Sequence, residues 1–289
     1  MKNRFLKSTC IAMIFVSFNA VAQQDDSVKS NIQTYTPSKL LNKGQWDIKF
    51  FNNLYTETKG NYNGVKADKA RATFFTSTVD IFTGISDNNR LNIGLLLEYR
   101  TNVINGKSAT TVFNFADDTS SRNGVSSFAP ALKWQPISKV GNFSVQSAFH
   151  IPLIADEIDV NGVFLDQTAL TFQNRFFYDY TYPSGKWQLF TELNTEYNFG
   201  DEASFANKTF VLAPGIFMSY FPSDKTTVLG FVQHYQRIGD FNQDFTSVGF
   251  GGKYQLNTTL NLEVLYSKFV RGNDTGLGQS FNIGLRALF

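Results

Sequence analysis

The chain has 289 residues, a formal net charge of +2 and one cysteine. The near-neutral balance leaves no basic excess with which to hold nucleic acid. A single cysteine excludes a disulfide framework, and the length allows one large β domain or two ordinary ones.

In chain order, Lys2, Arg4 and Lys7 precede an apolar stretch from Ile11 to Phe18 and then Ala20-Val21-Ala22. This three-part layout predicts a secretory signal peptide over residues 1–22. The apolar run is too short for a spanning helix, which needs about 20 residues. Cleavage removes Cys10, and with it any thiolate nucleophile or cysteine metal site; 23 basic residues then stand against 24 acidic ones. Residues 23–45 are polar and read as a periplasmic N-terminal lead-in, with residues 46–289 as one β domain.

Period-two alternation between turn signals predicts strands near 46–55, 72–83, 91–101, 125–134, 143–151, 168–180, 187–198, 209–220, 226–236, 245–255, 259–267 and 280–289. Within these segments every charged residue falls on one side of the alternation. The expected fold class is therefore all-β, an antiparallel transmembrane β-barrel of about twelve strands with both termini periplasmic. Connections after even-numbered strands are short, whereas Thr56–Arg71, Asn102–Gly124, Pro152–Gln167 and Phe199–Lys208 read as longer outer loops. Trp46, Trp134 and Trp187 map to the outward face at the periplasmic end, with Phe143, Tyr180, Tyr220, Tyr254 and Phe289. Tyr99, Tyr197, Phe210, Tyr235, Tyr266 and Phe281 map to an opposite outer ring, as membrane-interface belts require. Pro130 and Pro214 fit poorly, because each removes a ladder donor in mid-strand.

The same map turns Asp47, Lys49, Asp80, Glu98, Arg100, Lys133, Arg175, Asp179, Glu192, Glu196, Lys253, Glu263 and Arg286 inward. Six are basic and seven acidic, a balance that argues against strong ion selectivity. Inward Gly94, Gly215, Gly230, Gly249, Gly251 and Gly284 leave room in the lumen; inward Phe51, Phe74, Phe177, Phe190 and Phe217 fill it. The segment Pro152–Gln167 is too apolar for a freely solvated loop and is expected to fold into the mouth or pack on the rim.

A hydrolase would need a nucleophile beside its base. His150 and His234, both placed inward, are followed two residues later by Pro152 and Gln236, so no catalytic residues are assigned and no enzyme is expected. Glu157, Asp159, Asn161 and Gly162 follow part of a calcium-loop pattern, but Thr168 stands where its closing carboxylate belongs. Neither a metal nor a cofactor is expected.

The last strand, FNIGLRALF over 281–289, carries apolar residues at alternate positions and ends on Phe289. Together with the signal peptide, the lead-in and the twelve strands, it resembles outer-membrane β-barrels of Gram-negative bacteria. More loosely, the chain is similar to the transporter barrels of the meta-pathway phenol-degradation type. The resemblance implies a bacterial outer-membrane location within the lipid bilayer. It also implies Phe289 as the signal to the barrel-assembly machinery, and uptake of small polar or aromatic solutes. A passive channel is the leading expectation. The alternatives are a structural or interaction barrel with a closed lumen, and an outer-membrane hydrolase.

Overall fold

The computed structural model describes residues 36–154, 162–165, 169–200 and 206–289. The expected signal peptide, the start of the lead-in and most of the calcium-like stretch lie outside the described residues. The strands are β1 (Trp46–Tyr62), β2 (Val65–Gly84), β3 (Leu91–Val103), β4 (Ser121–Trp134), β5 (Phe143–Pro152), β6 (Thr171–Thr181) and β7 (Trp187–Asn198). They continue as β8 (Thr209–Ser223), β9 (Thr226–Gly239), β10 (Gln243–Gln255), β11 (Leu260–Asn273), the two-residue β12 (Thr275–Gly276) and β13 (Gln279–Leu288).

Consecutive long strands pair antiparallel, and β1 pairs both with β2 and with β13. The twelve long strands thus form a closed barrel without a free edge. Its seam runs from Asp47↔Leu288 to Thr56↔Gln279, and β12 extends it against Gly60 and Asn61. Phe289 finishes the ring: its N–H donates to the Trp46 carbonyl at 3.0 Å, and Trp46 N–H donates to the Phe289 carbonyl at 2.7 Å.

Phe50, Ile93, Leu95, Leu97, Ile216, Val228, Val232, Phe250, Val264 and Ile283 are exposed on the outer wall. Trp46, Trp134 and Trp187 are also exposed there, and all three stand at the barrel end that carries Phe289, here the near end. Tyr197, Phe210 and Phe281 are exposed close to the opposite, far end.

Four details depart from the sequence map. Most of Thr56–Arg71 is strand: β1 and β2 run on as a long hairpin joined through Asn63 and Gly64, at φ 52° and 77°. Paired positive φ values at Asn-Gly give the turn whose twist matches an antiparallel ribbon. The extension is polar on both faces, so alternation could not reveal it.

The second departure is the phase of β9. Phe231 pairs with inward Phe217, and Val232 with Ile216, which places Gln233 and Tyr235 inward and Gly230 and His234 outward. Residues 226–236 contain no charge to fix the phase; Arg237, just beyond them, lies on the inward face opposite Val211.

Third, Pro130 and Pro214 make no bulge. The β4–β5 ladder skips from Phe128↔Ile151 to Ala131↔Ala148, and the β8–β9 ladder from Leu212↔Gln236 to Gly215↔Gln233, each with its register unchanged. A missing N–H opens the ladder locally without shifting it. Fourth, the inward glycines do not open the lumen. A Cβ on Gly94 would meet the Phe82 ring at 2.4 Å, and one on Gly249 would meet the Phe231 ring at 2.2 Å. These glycines let facing phenylalanine rings lie flat against the wall.

Candidate functional site: the barrel lumen

Cross-strand partners share a face, so the registers place the charged side chains directly. Lys49 stands opposite Asp80 and Arg286, and Lys133 opposite Gln146. Arg175 lies between Gln146 and Asn194, Glu192 opposite Phe177, and Lys253 opposite Glu263. His150 pairs with Thr171, and its Nε2 lies 3.4 Å from Gln173 Oε1. All belong to the inward face that also carries buried Phe82, Phe177 and Leu288.

Most of these charges are tied to one another. Arg286 holds Asp47 through Nε at 2.7 Å and Nη2 at 2.8 Å, and Lys49 reaches the same carboxylate at 3.4 Å. Arg100 Nε donates to Glu98 at 2.8 Å, and Ser126 Oγ donates to the same oxygen at 2.6 Å. Ser126 can do so because a register shift in the β3–β4 ladder brings it onto the inward face. Arg175 Nε donates to Glu192 at 2.7 Å, and Lys253 meets Glu263 at 2.5 Å. Glu196 accepts from Gln173 at 2.9 Å and Asn194 at 2.8 Å.

Lys133 and Asp179 behave differently, because the chain ahead of β1 folds into the near end of the bore. Thr36 Oγ1 donates to Asp179 at 2.8 Å, while Lys133 Nζ donates to the carbonyls of Pro37 and Lys39. Among the described residues Lys133 has no carboxylate within ion-pair distance. Leu41 enters an apolar cluster of inward side chains: Phe82, Leu96, Ala129, Ala131, Ala148 and Leu288. Its N–H also donates to Asn92 Oδ1 at 3.3 Å. Burying one leucine contributes about 1.5–3 kcal/mol, so residues 36–41 form a docked stopper, with Leu41 as its apolar anchor.

At the far end, the described part of the apolar loop also turns inward. Val163 and Leu165 are buried. Arg100 Nη1 donates to the Leu165 carbonyl at 2.8 Å, and Asn102 Nδ2 to the Phe164 carbonyl at 2.6 Å. Residues 163–165 therefore narrow the mouth beside β3 and β4. The loop before β4 goes the other way: its 3-10 helix (Ala109–Asn114) buries Val112 against Phe75 and Val103 on the outer wall.

Two arcs of rings line the inner wall. Phe177, Phe190, Phe217 and Phe231 follow one another across β6–β9 at 6.1, 5.3 and 5.3 Å between centroids. Farther out, Tyr55, Phe269, Phe245 and Tyr235 do so across β1, β11, β10 and β9 at 4.7, 4.1 and 4.9 Å. Sequence reasoning missed this second arc, along with inward Glu57, Arg122 and Arg237. Tyr235 and Arg237 were hidden by the phase of β9; Glu57 and Phe269 fell in segments taken for loops.

The two histidines lie on opposite faces. His234 Nδ1 lies 2.9 Å from Thr246 Oγ1 on the outer wall; among the described residues no carboxylate is hydrogen-bonded to either ring. The same residues contain no group of three or more metal-ligating side chains.

No protein-family model matches the chain, and no curated protein matches it. Among solved structures it is similar to an outer-membrane channel from Pseudomonas putida F1, at TM-score 0.71 and 11% identity, covering 88% of this chain and 99% of that one. It is also similar to the β domain of the Bordetella autotransporter BrkA, at TM-score 0.54 and 12% identity, covering 85% and 99%. The chain has the fold of the outer-membrane β-barrels: an antiparallel, closed, twelve-strand cylinder.

Proposed function

We propose that this protein is a passive channel for small solutes in the outer membrane of a Gram-negative bacterium. One observation carries the reading: the bore holds water-accessible charge. The side chains of Lys49, Arg175 and Lys253 keep about a third of their surface exposed on the inward face, and Gln233 is exposed beside them. A barrel filled for stability alone would bury that volume, because empty polar space contributes no packing. The apolar outer wall with its tryptophan belt supports a bilayer environment. The solved channel of the same fold is in keeping with transport. Both termini would then face the periplasm, and Phe289, at the seam, is suited to recognition by the barrel-assembly machinery.

A second reading has its own observation. Residues 36–41 occupy the near end of the bore, as expected of a closed structural barrel. The two readings separate in planar bilayers. Under the channel reading, purified mature protein gives discrete current steps, or does so once residues 23–45 are removed. Absence of current from both forms would leave the closed barrel standing.

A further inference from the structure

We infer that the lumen selects for small anions, an inference that rests on the channel reading and names its solute class. The inward acids and bases are nearly equal in number, so a count predicts no preference. Burial breaks the tie in three inward pairs, whereas Arg100 and Glu98 are about equally exposed, at 20% and 18%. In the Lys49–Asp47 pair the cation's side chain is 34% exposed and the carboxylate 7%. For Arg175–Glu192 the values are 33% and 13%, and for Lys253–Glu263 they are 30% and 21%. In each of these three pairs the cation is the more exposed partner.

The potential that a passing ion meets is set mainly by charges that touch the aqueous path, focused by the low-dielectric wall around it. Lys49, Arg175 and Lys253 come from β1, β6 and β10, so they face the bore from separate sectors rather than from one patch. Asp80, Glu196 and Glu57 do not reverse this. Asp80 lies within electrostatic range of both Lys49 and Arg175, with His150 nearby. Glu196 is held by two amides, and Glu57 is buried under Tyr55 and Lys69. A monovalent or divalent organic anion small enough to pass residues 163–165 is the solute this surface fits.

The test is the reversal potential of the mature protein in planar bilayers across a potassium chloride gradient. Chloride should permeate at least about threefold better than potassium, and replacing all three cations (K49Q, R175Q and K253Q) should abolish or invert that preference. A reversal potential near zero, or of the cation-selective sign, overturns the inference while leaving the channel intact. Because the triple variant leaves carboxylates unpaired and can fail to fold, the pair-removing variant K253Q/E263Q is measured beside it and should weaken the preference. Crystals soaked in iodide or rubidium give a readout that needs no current. Iodide beside Lys49, Arg175 or Lys253 supports the inference, and rubidium there, or neither ion, overturns it. Absence of current from the mature protein and from the form lacking residues 23–45 rejects the channel reading instead.

Discussion

Two parts of the inner wall are built on opposite principles. At the near end, Leu41 sits among Phe82, Leu96 and small alanines, and the nearby charges Lys133 and Asp179 are hydrogen-bonded by backbone carbonyls and a hydroxyl of the inserted segment. Where Lys49, Arg175 and Lys253 stand, charge is met by charge, and the cations remain partly exposed. The near end therefore behaves like a protein core that happens to lie inside a cylinder, closed by a removable piece of chain. The wall around those cations behaves like a solvated surface turned inside out. A closed barrel needs both: strands alone leave a gap, and the gap is filled with side chains, water or another segment.

The largest effect should come from removing the removable piece. Deleting residues 23–45 is expected to raise conductance many-fold, read as single-channel current; an unchanged current would show that the near end is not on the solute path. Next is Asp47→Asn, which leaves Arg286 and Lys49 without their shared carboxylate. Breaking a buried pair costs about 3–5 kcal/mol, to be read as a lower midpoint of thermal unfolding in detergent. A midpoint equal to that of the parent would mean that water already screens this site, and the contrast between dry and wet regions would be misplaced.

Leu41→Ala tests the stopper without removing it. Losing a buried leucine side chain costs about 2 kcal/mol or more, expressed here as a larger fraction of time spent conducting, with the open-state conductance unchanged. If instead the barrel itself unfolds more easily and gating does not change, Leu41 belongs to the wall and not to a stopper. The smallest expected effect is from Gly249→Ala, whose methyl would collide with the Phe231 ring and the Tyr266 carbonyl. Overpacking of this kind costs about 1–3 kcal/mol. A shift of similar size in Gly230→Ala, which faces outward with only the Gly249 carbonyl within reach, would show that ring clash is not the cause.

The barrel was legible in the residues alone. Alternation of lipid-compatible and polar positions is a local property of each strand, and it placed the tryptophans at one end and the thirteen charged positions on one parity without any knowledge of neighbours. Its failures were equally physical. Where both faces meet water, as beyond Thr56, or where neither face carries charge, as in 226–236, period two has nothing to report. It was also silent on which partner each charge finds, because Arg286 and Asp47 are 239 positions apart and meet only when the seam closes. Burial within an ion pair, the insertion of Thr36–Leu41 into the bore, and the pairing of inward glycines with rings depend on distances across the cylinder. Those distances exist only once the strands have closed, so the tertiary structure alone decided them.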